Sequence, residues 1–307
     1  MSTTSTFSEE SRSGPGRPDF PGKPGVSTLR HELIHRVPDE FIASMRLAKK
    51  ALGYEAREES RRKQTAHNYV ATASNELRFL NGHFRGAKDF GIETSCNRQD
   101  LADIARWLRG AKKQSDWVVF AVHCHESGVS DEWYGLTAVT PPDFLIECAH
   151  FAIDNGADAV VSDGTHFLRG IEIYKGKPIF YSLGNFIFQN ETVEWLPQAA
   201  YEGLGLGVDD TPGDWGWGRS KGGKQGHASN PVFYRSAVAE CRYEATELKE
   251  ICLHPIDLGF GRSIGQRGRP LLAGEAVSGQ VIVWLRRVSQ PFGTEIIVRD
   301  GKGIICL

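Results

Sequence analysis

Two short strings hold the residues whose types and spacing could do chemistry. His123-Cys124-His125-Glu126 follows an apolar run at 117–122, and Ser162-Asp163-Gly164-Thr165-His166 follows Ala159-Val160-Val161. Imidazole nitrogens with a carboxylate suit a divalent zinc, manganese or iron ion. His123, Asp163 and His166 are therefore the candidate metal ligands. His125 and Glu126 share a loop with His123 and are the candidate catalytic pair for proton transfer; either could instead be a further ligand or orient one. Asn185, after Gly184, is a candidate substrate-binding residue because an amide can orient a substrate oxygen, although an asparagine at that place also forms turns. His31, His35, His67, His83, His150, His227 and His254 lack such a setting and are read as packing or surface residues. Gly164 is read as a backbone requirement of its loop.

The elements around these strings explain how they could meet. The continuous β-former run at 117–122 predicts a strand buried on both faces. Thr140 as cap, Pro141 in the first turn and Asp143 predict a helix carrying Phe144, Leu145, Cys148 and Phe151, ended by Gly156. Residues 159–161 predict the next strand. Strand, helix, strand is a crossover unit, so the two strands should run parallel. Ligands in open α/β sheets sit beyond the carboxyl ends of the strands. Neighbouring strands lie ~4.8 Å apart, close enough for His123, Asp163 and His166 to converge. Residues 171–174, a Lys175-Gly176 turn and 178–181 predict a hairpin.

Elsewhere the signals are more varied. Residues 1–37 are rich in proline and glycine and predict an irregular arm, with residues 38–307 forming the domain proper. Pro38 in the first turn, then Phe41, Met45, Ala48 and Leu52, predict a helix closed by Gly53. The charged stretch 55–80 predicts a second helix. Asn97 with Asp100 is a capping signal for a helix whose apolar face is Leu101, Ile104, Ala105 and Leu108. Residues 187–230, rich in glycine and tryptophan, predict a long loop. Strands are predicted at 236–243, 248–256, 280–288 and, last, 295–298. There is no internal repeat.

Composition narrows the function classes. The 307 residues are 40% hydrophobic and 24% charged, as in ordinary globular proteins. Lys+Arg 36 against Asp+Glu 38 gives a net charge of −2, which offers no cationic surface for nucleic acid. No apolar run reaches the ~18–20 residues of a membrane span, and the first residues lack the apolar stretch of a secretory signal, so a cytoplasmic location is expected. The cysteines at 96, 124, 148, 241, 252 and 306 contain no CxxC pair and are expected to be buried, reduced thiols. No GxGxxG, P-loop or GxSxG pattern follows a strand.

His123 after its strand, Gly156-Ala157-Asp158-Ala159-Val160-Val161, Asp163-Gly164-Thr165-His166, Gly170-Ile171-Glu172, Tyr174 and the string from Pro178 to Phe186 resemble the CapA family of poly-γ-glutamate capsule synthesis proteins. The likeness is densest over 117–189. It implies an α/β fold, the metallophosphoesterase-like α/β/β/α sandwich. It also implies a divalent metal, an accessory role in making a capsule-type polymer, and the polyglutamate synthesis machinery as partner. The alternative reading is a metal-dependent hydrolase of a phosphoester or amide bond, or an inactive remnant of one. The family's Gly-His-x-Pro-His pattern reads Ser162-Asp163-Gly164-Thr165-His166 here, so Asp163 stands where a histidine is expected. The family's early Gly-Asp and Asn-Asn-His motifs have no counterpart in the sequence. The resemblance therefore implies a chain lacking roughly the first third of the domain, completed by another chain if at all.

Overall fold

The computed structural model describes residues 1–64 and 73–307. Among the described residues the strands form three main sheets and one short hairpin. The central sheet has the order β1-β6-β9-β11-β10, from Ser2–Thr4 (β1), Val119–His123 (β6), Ala159–Asp163 (β9), Lys177–Phe180 (β11) and Ile171–Tyr174 (β10). β6 and β9 pair in parallel, joined by helix α4 (Asp143–Asp154), as the crossover pattern predicts. β10 and β11 form the expected hairpin, with Lys175 and Gly176 both at positive φ.

One face of this sheet packs on helices. Phe120, Val122, Val160 and Ile179 meet Leu101, Ile104 and Leu108 of α3 (Arg98–Lys112) and Phe144, Leu145 and Cys148 of α4 in one core. Asn97 caps α3, its side chain accepting from the Gln99 and Asp100 amides. Ile171 and Phe180 point the other way, into a core shared with a second sheet and α7 (Glu275–Ser289). That sheet runs β12-β13-β16-β15, from Arg235–Glu244, Glu247–Asp257, Lys302–Cys306 and Ile297–Arg299, with β14 (Leu271–Leu272) beside β13. The third sheet, β3-β4-β2-β5, joins Glu76–Phe79, Gly82–Gly86, His31–Val37 and Gly91–Cys96, backed by α1 (Asp39–Ala51) and followed along the chain from α1 by α2 (Tyr54–Gln64). The hairpin β7–β8 joins Trp133–Tyr134 to Thr137–Ala138.

Several expectations are corrected. The segment 1–37 is not irregular throughout: β1 adds to the central sheet and β2 is an inner strand of the third sheet. Backbone pairing to distant strands supplies what local sequence did not signal. Of the helix expected over 55–80, Tyr54–Gln64 is helix α2 and 76–79 is instead strand β3; residues 65–72, with His67, lie outside the described residues. Pro38 precedes α1 as its cap, and the buried position is Ile42 while Phe41 and Leu52 are exposed. Pro142, not Thr140, stands at the start of α4. The strand β6 is buried on one face only, for Val119 is 51% exposed. Residues 187–230 include α5 (Gln198–Glu202) and α6 (Pro212–Ser220), the latter held by a Thr211–Asp214 capping box.

The largest error falls on 280–288, which is helix rather than strand. Val281, Ile282, Leu285 and Val288 are buried together at helical spacing, and that packing overrides the β preference of Val-Ile-Val-Trp. Residues 295–298 are not the last strand, since β16 follows a turn at Asp300-Gly301. All six cysteines are free, but only Cys96, Cys124 and Cys148 are buried; Cys306 is exposed at the end of β16, facing away from the core.

Candidate functional site

His123 and Asp163 stand opposite one another at the carboxyl ends of β6 and β9. The Asp163 carboxylate bonds His123 Nδ1. A carboxylate can only accept, so Nδ1 carries the proton and Nε2 presents its lone pair. That Nε2 faces His125 Nε2 at 3.0 Å. Two imidazole nitrogens this close share either a proton or a cation. Burial, with His123 and His166 nearby, holds the His125 pKa below its ordinary value.

His166 takes the left-handed conformation, φ 65°, which is uncommon outside glycine. Gly164 makes the approach of this loop achievable: at φ 108° a Cβ would lie 2.8 Å from the Cys124 carbonyl oxygen. Asn185 then fixes the His166 ring. Its amide donates to the carbonyls of His166 and Phe233, both at 3.0 Å. Its Oδ1 is thereby turned to His166 Nδ1 at 2.9 Å. Nδ1 must be the donor in that bond, so Nε2 is again free. The His125 and His166 rings stand edge to face with centroids 6.0 Å apart.

Glu126 lies on the same loop but its carboxylate points toward the start of the chain. It accepts from Ser5 Oγ at 2.6 Å and from the Cys124 thiol at 3.3 Å. Burial alone would raise its pKa, but these bonds hold it below the ordinary carboxylate value. Burial, aided by the Glu126 charge, pushes the Cys124 thiol up to about 12, so it is inert at neutral pH. Under this loop lies Arg169, 0% exposed. It donates to Glu126 O at 3.0 Å, Ser127 Oγ at 3.1 Å and Ala138 O at 2.7 Å.

Sequence reasoning passed over His227. The 187–230 segment brings its ring within 5.1 Å of His166 and 4.3 Å of Phe233, measured between centroids. Burial, then His166 and Arg219, pushes its pKa down to about 4, so it is uncharged near neutrality. Nothing periodic in the glycine-rich segment signals this placement. Three of the remaining described histidines have structural surroundings: His31 stacks on Phe144, His150 on Tyr174, and His83 bonds Glu32.

The donor chemistry of this cluster fits a borderline divalent metal. His123 and His166 each have Nδ1 bonded to an oxygen acceptor, which leaves Nε2 as the ligating nitrogen, the arrangement metal-binding histidines adopt; in His123 that Nε2 faces His125 Nε2. The spacing is wider than a closed metal shell. Among the described residues only Glu240, Cys252 and His254 bring three donor atoms within 4.8 Å of one another. The His123–His125 pair would hold a metal first, and His166 would have to close toward it.

This is an α/β chain whose histidines gather at the carboxyl ends of parallel strands, where open α/β sheets place their ligands. Residues 34–190 match the family model of the bacterial capsule synthesis protein PGA_cap, and the chain belongs to that family. Its mixed α/β architecture is that expected of the family. The proteins y4sH and y4uA of Sinorhizobium fredii are each 34% identical over 318 aligned residues, covering all of this chain. The chain spans 64% of their length. The PGA biosynthesis protein CapA of Bacillus subtilis is 40% identical over 78 residues, 25% of this chain and 18% of CapA. A probable polyglutamine synthesis accessory protein of Mycobacterium tuberculosis, Rv0574c, is 33% identical over 102 residues, 33% of this chain and 24% of that protein. His123, His125, Asp163, His166 and Asn185 lie inside the matched family region; His227 lies beyond it.

Proposed function

We propose that this chain serves capsule-type polyglutamate synthesis as an accessory protein working with the synthesis machinery. The family match over 34–190 carries this reading. The names of the Bacillus and Mycobacterium relatives point the same way. The test is deletion of the gene in its host. Cell-associated γ-linked glutamate polymer, measured by acid hydrolysis and amino-acid analysis, should fall and return on complementation; unchanged polymer would refute the accessory role.

We further propose that the strand-end cluster binds a divalent metal, zinc, manganese or iron, and that the domain is a metallophosphoesterase-like hydrolase. Nε2 of His123, His125 and His166 would hold the ion. A bound metal would polarise a scissile phosphoester or amide and lower the pKa of water. Asp163, expected as a ligand, works in this reading by fixing His123, and Asn185 by fixing His166 rather than by touching substrate. His125 offers a single lone pair, which serves either as a third ligand or, where the ion is held by His123 and His166 alone, as the proton acceptor. Glu126 braces the loop from below. Metal content by mass spectrometry decides the point: the His123→Ala, His166→Ala double variant should carry one equivalent of metal less than the parent. A metal-free parent purified without chelators and not reloaded by added zinc or manganese would end this reading.

A further inference from the structure

Outside the strand-end cluster, one group of side chains has ligand types at ligand spacing. Glu240 on β12 stands directly opposite Cys252 on β13, and His254 follows two residues later on the same face. One donor atom from each lies within 4.8 Å of the other two. His254 Nε2 already bonds Glu240 Oε2 at 2.9 Å. We propose that Glu240, Cys252 and His254 form a second metal site, specific for zinc or a similar borderline-soft divalent ion and independent of the histidines at the strand ends.

The strand pairing makes the site. Ile251 and Leu253 are both 0% exposed and point into the core, so the pleat turns Cys252 and His254 to the opposite face. β13 is paired on both sides, with β12 and with β16, where Cys252 faces Ile304. The platform under the sulfur and the imidazole is therefore rigid. Tetrahedral zinc with bonds of ~2.0–2.3 Å needs donors roughly 3.5 Å apart. Glu240 is the exposed member of the three, so its carboxylate is free to make that closure.

Donor chemistry sets the metal. Thiolate with imidazole and carboxylate favours zinc or cobalt over magnesium, calcium or manganese. Burial holds the Cys252 thiol above its ordinary pKa, while Lys302 and Arg299 oppose the shift. The thiol proton leaves to solvent as the sulfur–metal bond forms, and the proton His254 Nε2 gives to Glu240 is displaced, the imidazole taking the Nδ1–H form so that Nε2 can bind; binding should therefore strengthen as pH rises. Thiolate and carboxylate together supply two negative charges against the two of the ion.

Cobalt(II) titration of the metal-free full chain tests this, because thiolate-to-cobalt charge transfer gives a near-ultraviolet band that histidine and carboxylate sites lack. In the His123→Ala, His166→Ala background, where only this site remains, the band should appear and saturate at one equivalent. Cys252→Ser should abolish it, Glu240→Gln should weaken cobalt binding about tenfold or more, and His123→Ala should leave it intact. Zinc should displace the cobalt and bleach the band. Circular dichroism on each variant identifies any that fails to fold, and His254→Gln provides a second route to the same loss. A parent chain with no thiolate band overturns the proposal, as does a band that survives Cys252→Ser and disappears in Cys124→Ser.

Discussion

β9 has an aspartate at each end, Asp158 just before it and Asp163 as its last residue, and the two ends behave differently. At the amino end Asp158 is enclosed: it takes Lys112 Nζ and the Val118 amide at 2.8 Å and Lys177 Nζ at 3.1 Å, with its side chain only 13% exposed. At the carboxyl end Asp163 has a single imidazole partner and a side chain 63% exposed. The same residue type, five positions apart, is a structural tie in one place and part of an open site in the other. Cations from α3 and β11 surround Asp158 and leave it nothing further to bind. Around Asp163 the fold places imidazoles with free nitrogens, whose needs remain unmet.

If the open end is presented rather than self-supporting, its rigidity must come from beneath, and the largest effect should follow from removing that support. Arg169→Met strips charge-assisted bonds from Glu126 O, Ser127 Oγ and Ala138 O inside a closed interior. A buried acceptor left bare costs about 1–3 kcal/mol. The variant should lose at least ~3 kcal/mol in urea unfolding, together with metal binding at the histidines. A loss below ~1 kcal/mol would show that the loop holds itself.

The enclosed end gives the next effect. Asp158→Asn weakens three bonds and should cost about 2 kcal/mol at pH 7. Burial alone would raise the Asp158 pKa, but the bonds from Lys112, Val118 and Lys177 hold it below the ordinary value. As pH falls, the unfolded chain takes up the proton first, so this contribution is complete above about pH 4 and fades as pH drops through the lower folded value. The stability gap between parent and Asp158→Asn should therefore close below about pH 4, read from urea midpoints across pH.

The contrast also shows what the sequence makes legible. A β-former run ending in histidine, a helix pattern and a second run ending in Ser-Asp-Gly are local signals, so the crossover and the strand-end positions of His123 and Asp163 can be read directly. Asp158 gives no such signal, because its cations come from α3 and from a different strand. Arg169 is likewise invisible, since nothing local tells a buried arginine from a surface one. His227 arrives through a segment without periodicity. Glu240, Cys252 and His254 become neighbours only once the register of β12 on β13 is known. Residues 280–288 read locally as a strand because β-branched residues prefer strands, while the packing surface of α7 repeats at helical spacing, and the packing decides.

Two smaller effects separate positioning from folding within the open end. Asn185→Ala removes three bonds at a partly buried place and frees the His166 ring, so it should cost about 1–2 kcal/mol and lower metal affinity 10–100-fold. Asp163→Ala removes an exposed side chain with one partner, and stability should stay within ~0.5 kcal/mol of the parent. Metal affinity should nevertheless fall 10–100-fold, because His123 loses the acceptor that fixes its tautomer and turns Nε2 outward. Isothermal titration with zinc in a Cys252→Ser background, which silences the β12–β13 site, and urea unfolding on the same sample separate the two. An Asp163→Ala protein that unfolds much more easily would make this aspartate a structural tie like Asp158 and erase the difference between the strand ends. One with unchanged stability and unchanged zinc affinity would leave the imidazoles of His123 and His125 ordering themselves without it.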